Sequence, residues 1–163
     1  METTIRAVEE RDWPAVTAVF NHFVTETFAA YPDEPVAGDF FKTRHLDSPG
    51  FPFLVAESGG EVVGFAYLSQ FHPVPTMKRS ATLTYFIHPD CTGAGLGSRF
   101  LDLLIEEGRH LGITTFLAHI SSANEGSIRF HLRHGFSECG RFLKVGEKAG
   151  REFDMVWMQR IEN

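Results

Sequence analysis

The sequence predicts a three-layer α+β domain, in which a mostly antiparallel mixed sheet of about seven strands carries helices on both faces. Seven short apolar or alternating runs, bounded by turn residues, predict the strands. Two longer segments with apolar residues at helical spacing predict the main helices. The elements follow the order β-α-α-β-β-β-α-β-α-β-β, and strands that follow one another without a helix are expected to pair antiparallel.

Length and composition favour one ordinary globular domain over residues 1–163. The net charge of −6 argues against binding to nucleic acid. We expect no signal peptide and no membrane segment, since no apolar run is long enough to cross a bilayer. Two cysteines, Cys91 and Cys139, are too few for a disulfide framework or a cysteine zinc site, and we expect reduced thiols in a cytoplasmic protein.

In the first half of the chain, alternation and helical spacing place three strands and two helices. The predicted strands are 4–8, 53–57 and 62–69, and the predicted helices begin after Asp12 and cover 38–46. Asp12 is expected to cap the first helix. That helix buries one face, formed by Trp13, Val16, Phe20, Phe23 and Val24. A hairpin turn at 58–60 joins the second and third strands.

The second half alternates strands with helices before a final hairpin. The predicted strands are 82–87, 114–120, 137–145 and 151–161, and the predicted helices are 98–111 and 124–134. Gly135 is expected to end the last helix, because glycine readily adopts the left-handed conformation found there. A turn near 148–150 joins the last two strands.

The glycine run at 93–98 is the strongest functional signal in the chain. It follows the apolar strand 83–87 and precedes an amphipathic helix. Glycines let the backbone turn sharply and expose its N–H groups. The first turn of a helix adds unpaired donors and a partial positive charge. Together these features predict a cradle for a phosphate or pyrophosphate group.

Several ligands would fit such a cradle. A Walker loop is excluded, because the lysine that it needs is absent. A dinucleotide fingerprint fits Gly93 and Gly95, but Ser98 stands where it needs a third small glycine or alanine, and the neighbouring strands form hairpins. Two interpretations remain: a loop that binds the pyrophosphate of coenzyme A, and a tight turn that binds no ligand.

A second motif supports the coenzyme A interpretation. The loop 92–97 is followed later by Asn124 and a helix that ends in Gly135-Phe136. With this pair of motifs the chain resembles the GNAT superfamily of N-acetyltransferases. It is similar in particular to the phosphinothricin acetyltransferase branch, over the segments Phe20–Phe23, Ser80–Pro89, Phe130-His131 and Asp154–Met158.

The resemblance implies the GNAT fold, with a sheet splayed between two central strands, and acetyl-CoA as co-substrate without a metal. The backbone of Tyr85, Phe86 and Ile87 would pair with the pantetheine arm, and an N–H near Ile87 would polarise the thioester carbonyl. The pyrophosphate would lie on the glycine loop, at Gly93, Ala94, Gly95, Leu96, Gly97 and Ser98. Asn124 would bond the pantetheine, cap its helix, or do both.

Two positions carry the expected acid–base chemistry. His131 stands where the branch has a histidine that would protonate the leaving thiolate or shuttle the amine proton. Thr82 stands where the branch typically has a glutamate base, and a threonine cannot remove a proton at neutral pH. The identity of the base therefore stays open between ordered water, His131 and a carboxylate such as Glu26. A metal site at His131 and His134 is not expected, since no carboxylate completes it.

The acceptor pocket is expected between the first helix with its loop, the 71–77 loop and the strand at 82–85. The candidate substrate-binding residues are Phe23, Glu26, Thr27, Tyr31, Thr76 and Met77. Glu26 would hold an ammonium group, and Lys78 or Arg79 would pair with an acceptor carboxylate.

The predicted function is N-acetylation of a small amine, an amino acid or analogue such as phosphinothricin or methionine sulfoximine. One alternative is acetylation of a protein or peptide, which needs an open groove. The other is a coenzyme-binding sensor that has lost catalysis, suggested by Thr82. The resemblance and the apolar tail also suggest a homodimer.

Overall fold

The computed structural model describes residues 2–163, which form one seven-stranded sheet flanked by four α-helices. The strands are β1 Thr3–Ala7, β2 Phe53–Ser58, β3 Glu61–Gln70, β4 Ser80–Ile87, β5 Thr115–Ser121, β6 Ser137–Lys148 and β7 Arg151–Ile161. The helices are α1 Trp13–Glu26, α2 Phe40–Leu46, α3 Leu96–His110 and α4 Glu125–Arg133. The predicted element order is confirmed, with most boundaries shifted by one to three residues.

The sheet has the order β1-β2-β3-β4-β5-β7-β6, and only β4 and β5 pair parallel. Their pairing is short, because it joins Ser80–Thr82 to Thr115–Leu117 and then ends. Beyond this contact both strands continue without pairing to each other, to Ile87 and to Ser121. The sheet is therefore splayed at its centre, as the resemblance implied, and the gap between β4 and β5 is the natural place for a ligand.

Each face of the sheet is covered by its own apolar cluster. One cluster lies under α3 and includes Phe100, Leu104, Phe116 and Met158, all buried. At Gly108 the approach is so close that a Cβ atom would lie 2.5 Å from the Phe116 ring, so only glycine lets α3 settle on the sheet. The other cluster is rich in aromatic side chains and lies under α1 and α2, with Phe20, Phe41, Phe53, Phe65 and Tyr67 as members.

The predicted cap at the start of α1 is wrong. The carboxylate of Asp12 makes no capping bond to the helix. It accepts hydrogen bonds from the Arg6 guanidinium at 2.7 and 3.0 Å and from the Glu9 backbone N–H at 2.7 Å. Arg6 also reaches Glu57 on β2 at 2.8 Å. The carboxylate ties β1 to the entry of α1, because a nearby cation offers it a stronger, charge-assisted bond than a helix N–H would.

Glycine ends α4 as expected. Gly135 has φ of +84°. Its N–H donates to the Leu132 carbonyl, and the Phe136 N–H donates to the His131 carbonyl at 3.0 Å. This is the Schellman pattern of a glycine-terminated helix. Among the helices of residues 2–163, none is long and apolar enough to span a membrane.

Candidate active site

Two adjoining cavities lie where β4 and β5 diverge. One has a volume of about 650 Å³ and lies between the aromatic cluster and the splay. The other, of about 600 Å³, lies along the glycine loop, the first turn of α3 and one side of α4 over its whole length. We call them the acceptor cavity and the coenzyme cavity. Both are lined by a common set of residues at their junction, namely Ala29, Tyr85, Phe86, Asn124 and Ser127.

The glycine loop gives the coenzyme cavity a stretch of wall without side chains. Gly93 and Gly95 have φ of +84° and +77°, a conformation that L side chains rarely adopt. Gly95 precedes α3, whose first helical hydrogen bond runs from the Arg99 N–H to the Gly95 carbonyl at 3.1 Å. The amides of the first turn, at 96–98, therefore have no acceptor within the helix. With the positive end of the helix dipole, these amides are the kind of donors that favour an anion.

Most of the predicted coenzyme-binding residues line this cavity: Tyr85, Phe86, Ile87, Gly93, Gly95, Leu96, Gly97, Ser98 and Asn124. Ala94 lies exposed between two of them but is not a lining residue. Thr92 lines the cavity as well, and its hydroxyl donates to the Pro89 carbonyl at 2.8 Å. Arg133 and His134 also line it, and the sequence analysis assigned neither of them to the coenzyme.

Asn124 caps α4 with one end of its carboxamide, and the other end is not used by the cap. Its Oδ1 accepts from the Ser127 backbone N–H at 3.3 Å at the start of α4. The carboxamide N–H₂ has no hydrogen-bond partner among residues 2–163. Because Asn124 lines both cavities, this donor is available to a ligand that crosses their junction.

The acceptor cavity has aromatic walls. They are formed by Phe20, Phe40, Phe41, Tyr67, Phe71, Phe86 and Trp157. Of the predicted site residues, Tyr31, Thr82 and His131 line this cavity, together with Tyr85, Phe86 and Asn124 from the coenzyme set. Phe23 lines the coenzyme cavity instead. The structure therefore brings the expected acid–base position, His131, and the Thr82 position to one site.

Other predicted substrate residues lie away from it. Glu26, Thr27, Thr76 and Met77 line neither cavity. The Thr27 hydroxyl donates to the Phe23 carbonyl at 2.7 Å and accepts from the Ala29 N–H at 3.0 Å, so it closes the end of α1. Thr76 and Met77 are exposed in a short 3-10 turn.

Arg44 on α2 is the cation that the acceptor cavity contains. Lys78 and Arg79, the predicted partners of an acceptor carboxylate, do not line it. The Arg44 guanidinium lies 4.2 Å from the centre of the Phe40 ring, which holds the side chain against the aromatic wall. Sequence reasoning missed Arg44 because α2 is short, and only the packing of α2 on α1 shows which side of it faces the cavity.

Tyr85 and His131 form a buried hydrogen-bonded pair at the junction. The His131 Nδ1–H donates to the Ser127 carbonyl at 2.7 Å. In the neutral ring Nε2 is then unprotonated, and it accepts from the Tyr85 hydroxyl. Burial lowers the pKa of His131 and raises the pKa of Tyr85. Both groups are therefore neutral near pH 7. The Tyr85 side chain was missed, because the resemblance assigned only a backbone role to its strand.

The splayed sheet, the glycine-loop anion site and the neighbouring aromatic cavity define a class of protein, the coenzyme A-dependent acyltransferases. A family model described as the acetyltransferase (GNAT) domain matches residues 5–157, and the chain belongs to this family. It is an N-acetyltransferase that uses acetyl-CoA. Within residues 2–163, no group of three or more His, Cys, Asp or Glu side chains is arranged to hold a metal ion.

Three similar proteins illustrate the range of the family. An L-methionine sulfoximine/L-methionine sulfone acetyltransferase from Salmonella typhimurium is 34% identical, over 96% of this chain and 92% of that protein. A phosphinothricin acetyltransferase structure from Sinorhizobium meliloti in complex with AcCoA has a TM-score of 0.90 and 28% identity, covering 100% of this chain and 90% of that one. A ribosomal-protein-alanine N-acetyltransferase structure from Brucella melitensis has a TM-score of 0.87 and 36% identity, covering 97% and 99%.

Proposed function

We propose that the protein acetylates the amine of a free amino acid or a close analogue, such as methionine sulfoximine or phosphinothricin. The observation that carries the proposal is the acceptor cavity. It is aromatic, about 650 Å³ in volume, lined by one guanidinium, and it shares five lining residues with the coenzyme cavity. A cavity of this size suits a small molecule. The methionine sulfoximine and phosphinothricin enzymes among its relatives support the same substrate class.

Arg44 is the proposed partner of the acceptor's carboxylate. A guanidinium forms a forked, charge-assisted pair with a carboxylate. The surrounding rings of Phe40, Phe41 and Tyr67 would contact the acceptor's side chain. An acceptor held by its carboxylate on α2 extends its amine toward β4, where the two cavities meet.

The coenzyme cavity is proposed to bind acetyl-CoA through backbone groups. The amides at 96–98 and the turn at Gly93–Gly95 would hold the pyrophosphate, as their anion-site geometry predicts. Beyond Thr82 the β5-facing edge of β4 has no strand partner, so the backbone at Tyr85–Ile87 is free to pair with an extended arm. Bound there, acetyl-CoA supplies an activated acyl group and a thiolate leaving group.

Tyr85 and His131 are proposed to manage the proton that the thiolate needs. The Tyr85 hydroxyl lies at the junction of the cavities, and neutral His131 stands behind it with Nε2 as acceptor. When the Tyr85 oxygen takes up a proton, Tyr85 would pass its own hydroxyl proton to Nε2 of His131. In the reverse movement, His131 would return that proton to the Tyr85 oxygen, and Tyr85 would deliver a proton to sulfur. His131 thus stores the proton, and Tyr85 is the group that exchanges it with the reactants.

The direct test is thiol release from acetyl-CoA with a panel of free amino acids. We expect turnover with methionine sulfoximine, phosphinothricin or an amino acid of similar size. Coenzyme binding in titration calorimetry without thiol release across the panel would contradict the proposal and favour a sensor. Absence of coenzyme binding at millimolar concentration would contradict the coenzyme site itself.

Protein acetylation is the second candidate, and one observation favours it. The ribosomal-protein-alanine N-acetyltransferase from Brucella melitensis is 36% identical over nearly the whole chain. A peptide terminus would have to enter beside Tyr31 and Phe71, which line the acceptor cavity from two separate loops. Alanine-terminated peptides in the same assay separate the two candidates, since turnover with peptides and none with free amino acids would support this one.

We also propose that the protein is a cytoplasmic homodimer. β6 is the edge strand of the sheet and exposes Phe142, Leu143 and Val145, with Leu143 72% exposed. An exposed apolar edge is a common protein–protein contact surface. The predicted apolar tail, β7, lies inside the sheet between β5 and β6 and is not itself this surface. Sedimentation equilibrium of the wild type and of Leu143→Glu tests the dimer, which the variant should weaken.

A further inference from the structure

The acceptor cavity lacks a carboxylate that could take a proton from an ammonium group. Within residues 2–163, neither cavity is lined by an aspartate or a glutamate. Thr82 lies on the wall, but its hydroxyl is not a base at neutral pH. Because an ammonium must lose a proton before its nitrogen can attack, another group has to accept that proton. The acceptor cavity is lined by two imidazoles, His119 and His131.

His131 is already committed at both ring nitrogens. Nδ1 is bonded to the Ser127 carbonyl and Nε2 to the Tyr85 hydroxyl. His131 lines the acceptor cavity but is only 3% exposed, and its Nε2 is occupied by the Tyr85 hydroxyl. His131 therefore suits the proton path of the leaving group, and it offers no unbonded nitrogen to the incoming amine.

His119 occupies the opposite wall of the splay. Parallel pairing aligns Thr82 of β4 with Leu117 of β5, and His119 follows Leu117 by two residues. Side chains two apart in a strand share one face of the sheet, so His119 lies on the same face as Leu117. Its immediate neighbours Ala118 and Ile120 pack into the α3 cluster on the other face. His119 thus points to the acceptor side, about 7 Å along the strand from the last β4–β5 pair.

The surroundings of His119 suit a neutral base. Its ring stacks on Tyr31, with 5.6 Å between centroids, and Nδ1 lies 3.3 Å from the Tyr31 hydroxyl. Nε2 has no hydrogen-bond partner among residues 2–163. Burial lowers the pKa of His119, so the ring is unprotonated near pH 7. The titratable or charged groups that share the cavity with it are Tyr31, Arg44, Tyr67, Tyr85 and His131.

We infer that His119 is the general base that deprotonates the acceptor amine, on β5, in place of the carboxylate missing from β4 at Thr82. This inference rests on the proposed function. Nε2 takes one proton from the ammonium, and the Nδ1–H of the resulting imidazolium donates to the Tyr31 oxygen. The amine nitrogen forms the new C–N bond and the C–S bond breaks. The second amine proton passes to sulfur through Tyr85, and His119 returns its proton to solvent.

His119→Phe is the main test, because phenylalanine keeps a flat ring on Tyr31 but has no basic nitrogen. At pH 7 we expect kcat/KM for the amino-acid acceptor to fall by about 100-fold or more, the range typical of a lost general base. The deficit should shrink as pH rises toward the pKa of the amine, since the variant depends on amine that is already neutral. It should also shrink for an aminooxy acid, whose amine is neutral at pH 7.

Two controls separate a base from a structural residue. Calorimetric affinity for acetyl-CoA should change little, which shows that the variant is folded, and His119→Gln serves if the phenylalanine variant is not. Tyr31→Phe keeps the stacked ring and removes the hydroxyl that accepts from the imidazolium. It should move the acidic limb of the wild-type pH profile to lower pH, with a smaller loss of rate.

The outcomes are distinguishable. If wild-type protein releases no thiol with any amine, the proposed function fails and the base assignment fails with it. If the wild type turns over and His119→Phe is equally active at pH 7, only the assignment to His119 is overturned. A deficit of equal size at every pH and with the aminooxy acid also overturns it, because a merely structural effect would not depend on the protonation of the acceptor.

Discussion

The coenzyme cavity and the acceptor cavity are built in different ways. The phosphate-binding end proposed for the coenzyme cavity is backbone from one continuous strand–loop–helix segment, with left-handed glycines at 93 and 95, and side chains of α4 complete the cavity. The acceptor cavity is mostly side chains, contributed by all seven of α1, α2, α4, β3, β4, β5 and β7 and by the loops after α1, β3 and β5. A backbone site tolerates side-chain change but not a change of conformation. A side-chain site is sensitive to the replacement of a side chain even where the backbone is unchanged. Single substitutions should therefore impair one cavity and leave the other intact.

The largest effect is expected from Gly95→Val. A β-branched side chain is strained at φ of +77° and would project where the anion site needs bare backbone. We expect acetyl-CoA affinity in calorimetry to fall by about 100-fold or more, which corresponds to about 3 kcal/mol. Gly150→Val is the matched control, because Gly150 has φ of +74° in the distant β6–β7 turn. Both variants should lose stability, but only the first should lose coenzyme binding. Equal affinities would show that the glycine loop is only a turn.

Tyr85→Phe tests the junction between the cavities. It removes the hydroxyl that reaches His131 and keeps the ring against the α3 cluster. We expect kcat to fall by about 30- to 100-fold, in the lower range of general acid–base effects, with little change in coenzyme affinity. His131→Phe should give a similar loss, and the double variant should lose little more, because the two groups act as one unit. Fully additive losses in steady-state assays would separate their roles.

Arg44→Gln should act on the acceptor side alone. Loss of a charge-assisted pair with the acceptor's carboxylate is expected to raise KM for an amino acid by about 10- to 30-fold, from a bond worth about 1.5–2 kcal/mol. Amines without a carboxylate should be affected less. Arg79→Gln is the control, because sequence reasoning proposed Arg79 for this role and it lines neither cavity. Equal effects of the two variants in acceptor saturation curves would remove Arg44 from the site.

The smallest effect is expected in the pH dependence of the free energy of unfolding. Burial lowers the folded-state pKa of His119 and His131, so the unfolded chain binds more protons below the ordinary histidine pKa of about 6.5. Stability should therefore be full above that pH and fall as pH decreases below it. One group contributes a slope of at most about 1.4 kcal/mol per pH unit. Urea unfolding between pH 5 and 8 measures it, and His131→Phe should flatten the curve. An unchanged curve would mean that His131 is not held neutral by the fold.

The glycine-loop cavity could be predicted from the sequence because its parts are close along the chain. The glycine run, the start of α3, the cap at Asn124 and the glycine end of α4 all depend on bonds between residues a few positions apart. The acceptor site could not be predicted as well. Glu26, Thr27, Thr76 and Met77 have suitable side chains on suitable segments, but the packing of α1 and the 71–77 loop leaves them outside both cavities.

The sequence by itself determined the order of strands and helices, the sharply turned glycine loop and the family. Backbone conformational preferences and short-range hydrogen bonds set these features, and local residue patterns report them. Only the tertiary structure decided where β4 and β5 part, which helix supplies the cation, and which imidazoles face the gap. These depend on contacts between distant segments, such as Tyr85 with His131 and Tyr31 with His119. The branch typically has a glutamate base on β4, where this chain has Thr82. The fold brings His119, a candidate base, to the same cavity from β5.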